Sequence, residues 1–201
     1  MYIIVEGMPS SGKTTISHIL AKKYNAEYFK CLLPDDDFGN ELRLLRDSGK
    51  YETEVLLLHA VDLLRNELQV SKILSGGKNI IRDKCFISSL AHILAVKPLM
   101  PQEVKHLLIR SYEEIYKHMI VPDAFVFINR TLSSSKEIIQ NKDDRSVIDE
   151  IILNDESRFE AQKSQLEINA KKYFGDRFIE VSGLDTLENE IKSITERINI
   201  K

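Results

Sequence analysis

The sequence predicts an α/β fold, a three-layer α/β/α sandwich around a five-stranded parallel sheet. Three observations predict it. The chain opens on a short apolar strand that passes through a glycine-bounded loop into a helix, between Tyr2 and Tyr24. Short apolar runs then alternate with longer segments of helical period, the pattern of βα units joined by right-handed crossovers. Polar and acidic residues gather just after the strands, where ligands bind in sheets of this kind.

Taken in order, Tyr2 to Val5 is a buried strand, and Gly7 to Thr14 fits the phosphate-binding pattern G-x-x-x-x-G-K-[ST]. Gly7 and Gly12 can turn successive N–H groups inward, and a side chain at either would keep a polyphosphate away from them. Pro9, Ser10 and Ser11 complete the loop. A helix from about Gly12, with Ile16, Ile19, Leu20 and Tyr24 on one face, brings its positive end to the same place. Lys13 then reaches the β and γ phosphates of a nucleoside triphosphate, Thr14 holds Mg²⁺, and Gly7 to Thr15 together, with Pro9, Ser10 and Ser11, bind the triphosphate. ATP and Mg²⁺ are the expected cofactors.

Glu27 to Leu33 reads as the second strand, ended by Pro34, with Asp35, Asp36 and Asp37 as an acidic turn. A short helix covers Gly39 to Asp47. A long one runs from Thr53 to Gly76, with Leu57, Val61, Leu64 and Leu68 on one face and Asp62 and Arg65 on the other. Asn79 to Arg82 is the third strand and runs into Asp83. Helices follow from Cys85 to Val96 and from Pro101 to Met119, then a buried strand from Ala124 to Ile128. Ser133 is expected to cap a helix ending near Gln140. After the polar stretch 141–145 one helical pattern continues to Tyr173, before a last strand, Phe178 to Val181, and a last helix, Leu184 to Ile198.

A single domain spanning 1–201 is expected at this length. The formal net charge of −3 argues against a broad nucleic-acid or membrane surface, so any anion site must be built locally. Cys31 and Cys85 fit no metal-ligand spacing and read as reduced thiols. The chain enters its first strand without a basic, apolar leader and has no run of membrane-spanning length. A cytoplasmic protein is expected.

Val5-Glu6-Gly7, the loop, Leu56 to Asp62, Ile81 to Cys85 with Ser88 to Ala91, Pro122-Asp123 and Asp144-Arg145 together resemble the thymidylate kinase family and related P-loop nucleoside and nucleotide kinases. The resemblance implies phosphoryl transfer to a small acceptor, a helical lid at about 141–160, and adenine near Gly183. Departures from the family pattern lie on the acceptor side. Pro9 stands where an acidic residue is usual, Leu33-Pro34-Asp35-Asp36 replaces Glu-Pro-Gly-Gly, Lys84 replaces an arginine after Asp83, and Leu63 replaces one after Asp62. The acceptor is therefore left open between a nucleoside monophosphate and a nucleoside.

Asp83 ends a strand beside the loop and is assigned to metal binding or to polarising the attacking hydroxyl, with a helix cap as the plainer alternative. The loop carries no arginine, so the lid must supply the cation that stabilises the transferred phosphoryl group. Arg145 is the first choice, ahead of Arg158 and Lys142. Asp35, Asp36, Arg43, Asp62 and Arg65 are the acceptor-binding candidates, although Asp62 and Arg65 can equally pair with each other. An ATPase switch or nucleotide-sensing module without a small acceptor is the competing function. A homodimer through the long apolar helices is the expected assembly, if any.

Overall fold

The structure, a computed structural model, describes residues 1–31, 37–48, 50, 52–96, 100–141 and 147–199. Five strands form one parallel sheet, β1 (Tyr2–Gly7), β2 (Ala26–Lys30), β3 (Asn79–Asp83), β4 (Ala124–Ile128) and β5 (Phe178–Val181), in the order β2-β3-β1-β4-β5. Val5 lies beside Asp83 on one side, and Gly7 beside Ile128 on the other. That register brings the ends of β1, β3 and β4 to one level, above which the phosphate loop stands.

The helices are α1 (Lys13–Lys23), α2 (Asp37–Ser48), α3 (Glu52–Ser75), α4 (Phe86–Val96), α5 (Gln102–His118), α6 (Leu132–Gln140), α7 (Val147–Asn154), α8 (Glu156–Phe174) and α9 (Leu187–Asn199). Strand alternation sorts the core into two layers. Tyr2, Ile4, Phe125 and Phe127 face α3, α4, α5 and α8, whereas Ile3, Val5, Val126 and Ile128 face α1 and α9. A third cluster joins Met8 of the loop to Leu132, Ile139, Ile152 and Phe159. Met8 thereby ties the loop to the base of α6, α7 and α8.

Several element boundaries differ from the expectation. Strand β2 stops at Lys30, and 32–36 lie outside the described residues. Thr131, not Ser133, caps α6, its Oγ1 accepting from the Ser134 N–H at 3.3 Å. The single helical pattern up to Tyr173 is two helices, because the Asp155 carboxylate accepts the Arg158 N–H at 3.0 Å and starts α8 afresh. The last helix begins at Leu187 rather than Leu184.

Helix α3 is apolar on two faces, and Val55, Leu56, Ala60, Leu63 and Val70 form the buried one. Leu57, Val61, Leu64 and Leu68 are exposed, by 36, 49, 44 and 75%, while Asp62, Asn66 and Glu67 are buried beside Leu63 and Val70. The polar residues that go inward with that face meet a charge on β3. Arg82, fully buried, pairs with Glu67, donates to Tyr2 Oη at 2.9 Å and to Cys31 Sγ at 3.1 Å. Removing either member of that buried pair strands the other, at a cost of about 3–5 kcal/mol. Among the described residues no helix is long and apolar enough to cross a membrane.

Candidate active site

The phosphate loop is shaped by close approach. A Cβ on Gly7 would stand 2.5 Å from Ser11 Oγ and 3.0 Å from the Ile128 carbonyl oxygen, so only glycine fits. Gly12 takes the left-handed conformation at φ 89°, and Ser10 holds φ 61° despite its side chain. The Ser11 N–H donates to the Met8 carbonyl at 3.1 Å and closes the turn. Gly12 precedes α1 with no side-chain cap, so the positive end of the helix, at Thr14 and Thr15, faces the loop and suits an anion. Lys13 is 7% exposed and lies back along the loop, Nζ donating to the Met8 carbonyl at 3.1 Å.

Asp83 meets this loop from β3. Its Oδ2 accepts from Thr14 Oγ1 at 2.6 Å and from Tyr28 Oη at 3.2 Å, while Oδ1 is buried with no hydrogen-bond partner among the described residues. A carboxylate oxygen left over beside a hydroxyl is an all-oxygen donor set that suits Mg²⁺. No cluster of three or more His, Cys, Asp or Glu that could hold a metal occurs among the described residues. A divalent ion here would therefore lean on Thr14, Asp83 and the phosphates, the usual way Mg²⁺ is shared with a nucleotide. Asp83 caps no helix. Tyr28, which sequence reasoning passed over, stacks on His18 with ring centroids 3.9 Å apart.

Glu6 was also passed over as a site residue. It is fully buried, accepts from the Cys85 N–H at 2.9 Å and from Ser88 Oγ at 2.8 Å, and its Oε2 accepts the Gly7 N–H at 3.2 Å. Burial pushes its carboxyl up, against the Cys85 N–H and the charges of Lys84 and Lys13. One carboxylate thus clamps the start of the phosphate loop to the start of α4. The signal was available: a charged residue ends a strand that is otherwise apolar. Next to Asp83, Lys84 holds φ 73°, its N–H donating to the Val5 carbonyl at 3.0 Å. A non-glycine residue in that region costs about 1–3 kcal/mol, a strain that accumulates at functional sites.

A further cation lies on the opposite side of the loop. Arg130, between β4 and α6, donates from Nε to the Ser11 carbonyl at 3.2 Å and from Nη1 to Ser134 Oγ at 2.9 Å. No local pattern pointed to it.

The acceptor candidates fare unequally. Asp35, Asp36 and Arg145, with Pro34 and Lys142, lie outside the described residues. Asp62 is 1% exposed, 3.8 Å from Arg65 Nη1, and its Oδ2 accepts from Asn66 Nδ2 at 3.3 Å; Asn66 also reaches Cys31 Sγ at 3.7 Å. Arg65 stands over the Phe38 ring of α2, 4.8 Å from its centroid. Arg43 Nη2 donates to Asn40 Oδ1 at 2.9 Å on its own helix. Asp62 thus belongs to the buried network that ends at Arg82. Burial pushes the Cys31 thiol up to about 11 and raises that of Cys85, so neither is a thiolate nucleophile.

The structure brings Gly7 to Thr15, Lys13 and Asp83 into one site at the ends of β1 and β3. Comparison with known proteins gives the family. The chain is 24% identical to a probable thymidylate kinase of Thermococcus kodakarensis, over 98% of both chains. Its fold is similar to the structure of deoxyadenosine kinase from M. mycoides with bound dATP, with a TM-score of 0.78, 19% identity and coverage of 99% of this chain and 100% of that one. It is also similar to thymidylate kinase from Candida albicans, with a TM-score of 0.75, 20% identity and coverage of 99 and 91%. The model of the deoxynucleoside kinase family matches residues 3–199, so the chain belongs to the deoxynucleoside kinase family, among the P-loop nucleoside and nucleotide kinases.

Proposed function

We propose that this protein is an ATP- and Mg²⁺-dependent kinase that transfers the γ-phosphoryl group to a nucleoside or a nucleoside monophosphate. The observation that carries the reading is the pairing of Thr14 with Asp83 across an uncapped helix N-terminus, with one buried Asp83 oxygen left over. Loop residues 7–15 bind the triphosphate through backbone N–H groups. Lys13 exchanges the Met8 carbonyl for a phosphate oxygen and neutralises charge as it develops. Thr14 and Asp83 would hold Mg²⁺, which would offset the negative charge of the phosphates.

Asp83 also orients the attacking hydroxyl, and Glu6 keeps its strand end in register with the loop. The acceptor lies over β2, β3 and α3, near Asp35, Asp36, Arg43, Asp62 and Arg65, and Arg145 of a lid at 141–160 supplies the remaining cation. The whole chain acts as one domain. The exposed stripe on α3 supports a homodimer in which that apolar surface is covered. Buried, protonated thiols and the use of ATP support a cytoplasmic location.

The test is ADP release with Mg·ATP against a panel of nucleosides, nucleoside monophosphates and other small alcohols. Acceptor-dependent release above background is expected and identifies the substrate class. Slow hydrolysis that no acceptor accelerates would instead indicate a nucleotide switch.

A further inference from the structure

Met8 joins two parts of the molecule that otherwise have separate cores. Its side chain, 2% exposed, packs with Leu132 and Ile139 of α6, Ile152 of α7 and Phe159 of α8. Among the described residues, it is the one buried member of that cluster from outside α6–α8. The described side chains of α7 enter neither of the two larger clusters that cover the sheet. Helix α8 is fixed elsewhere, because Leu166, Ala170 and Phe174 bury in the main core and Phe174 stacks on Phe125 with ring centroids 4.4 Å apart. Helix α7 therefore takes its apolar support from the small cluster, and one wall of that cluster is a residue of the phosphate loop.

The main chain of the same residue is tied to the charge of the loop. The Met8 carbonyl accepts from Lys13 Nζ and from the Ser11 N–H, each at 3.1 Å. A bound phosphate competes for both donors, for Lys13 as a cation and for Ser11 as one of the inward-turned N–H groups of the loop. The preceding residue cannot give way. The Gly7 N–H is held by Glu6 Oε2 at 3.2 Å, and a Cβ on Gly7 would already stand 2.5 Å from Ser11 Oγ. A change in the hydrogen bonds of the Met8 carbonyl is thus taken up at Met8 itself, whose side chain has no spare room in a packed cluster.

We infer that Met8 is a relay residue: its carbonyl reads whether the phosphate loop is occupied, and its side chain passes that state to α7 through the cluster with Ile139, Ile152 and Phe159. An anion that gathers the loop N–H groups fixes the Met8 backbone, stiffens the wall beneath α7 and makes α7 open less often. The coupling is reciprocal, so a seated α7 favours the anion by the same factor. The inference rests on the proposed binding of a triphosphate at residues 7–15.

The experiment measures amide hydrogen exchange across α7, residues 147–154, with and without saturating tripolyphosphate and Mg²⁺. In the unaltered protein the ligand should slow exchange there by about five- to 150-fold, the usual size of a coupling between sites. Met8→Ala should abolish the difference between ligand-free and ligand-bound rates, and Met8→Leu, of similar volume, should restore it. Ile139→Ala weakens the same cluster without altering the loop, so exchange should quicken in both states and their ratio should persist. A ratio that survives Met8→Ala shows that the ligand holds α7 directly and overturns the inference. A ratio lost equally in Ile139→Ala also overturns it, since the cluster is then merely loosened. If Met8→Ala does not fold, Met8→Val is read by the same ratio. Tripolyphosphate that binds the unaltered protein without slowing α7 overturns the inference alone, whereas failure to bind overturns the phosphate-loop reading itself.

Discussion

Tyr28→Phe removes one oxygen atom and tests how Asp83, the proposed metal carboxylate, is held. Tyr28 lies on β2, paired with Ile81 of β3, and its hydroxyl reaches Asp83 Oδ2 at 3.2 Å beside the 2.6 Å bond from Thr14. A hydrogen bond to a charged group contributes about 1.5–3 kcal/mol, and the longer of two sharing one oxygen belongs at the lower end, about 1.5 kcal/mol. That energy corresponds to about tenfold in affinity for the ion that Asp83 orients. The ring, stacked on His18, remains in place. Mn²⁺ titrated in the presence of ATP and followed by electron paramagnetic resonance should show the midpoint rising about tenfold, with the melting temperature lowered by only about 3–6 °C. An unchanged midpoint with an unchanged melting temperature would show that Tyr28 does not position Asp83. A large melting shift without a metal effect would make it a packing residue only.

Lys13→Ala should lower phosphoryl transfer by about two to three orders of magnitude while circular dichroism and melting stay near normal; full activity refutes the phosphate-loop assignment. His59, partly buried on α3, is pushed down to about 4 from 6.5 by burial and by the charges of Arg46, Lys84 and His92. Its neutral form contributes stability that is complete above about pH 6.5 and lost as pH falls toward 4, at most about 3 kcal/mol. Urea unfolding of His59→Gln should therefore lose less stability over that window than the unaltered protein; parallel pH profiles contradict the burial argument. Leu68, 75% exposed at the outer edge of the α3 stripe, is a candidate contact in a dimer. Leu68→Glu should convert a dimer to a monomer in sedimentation velocity while changing the fold's stability by no more than about 0.5 kcal/mol; an unaltered assembly rules out this surface.

The phosphate loop was legible because its information is local. Strand, loop and helix follow one another within the first two dozen residues, and glycines are needed at Gly7 and Gly12 whatever the rest of the chain does. The order of elements was legible for a similar reason, since apolar period and turn residues act over a few positions. Errors came where local signals competed. At α6 two neighbouring hydroxyls, on Thr131 and Ser133, could each cap the helix, and geometry chose Thr131. At Asp155 an apolar pattern ran through a capping residue that in fact starts a new helix.

Asp83 could be placed from sequence because a carboxylate closing a strand next to the loop has few alternatives. Tyr28 and Arg130 could not, because their partners lie 55 and 119 residues away in the chain. Helix α3 shows the boundary most plainly. Its periodicity separates Leu57, Val61, Leu64 and Leu68 from Asp62 and Arg65, and no propensity says which of two faces meets the protein. The face with Leu56, Leu63 and Val70 goes inward and carries Glu67 to the buried Arg82 on β3, which leaves Leu57, Val61, Leu64 and Leu68 outside. By itself the sequence determined the nucleotide loop and the α/β order, which depend on neighbours in the chain. The tertiary structure decided which side chains meet Asp83, which reach the loop and which face solvent, because those depend on strand register and on charges that meet only after folding.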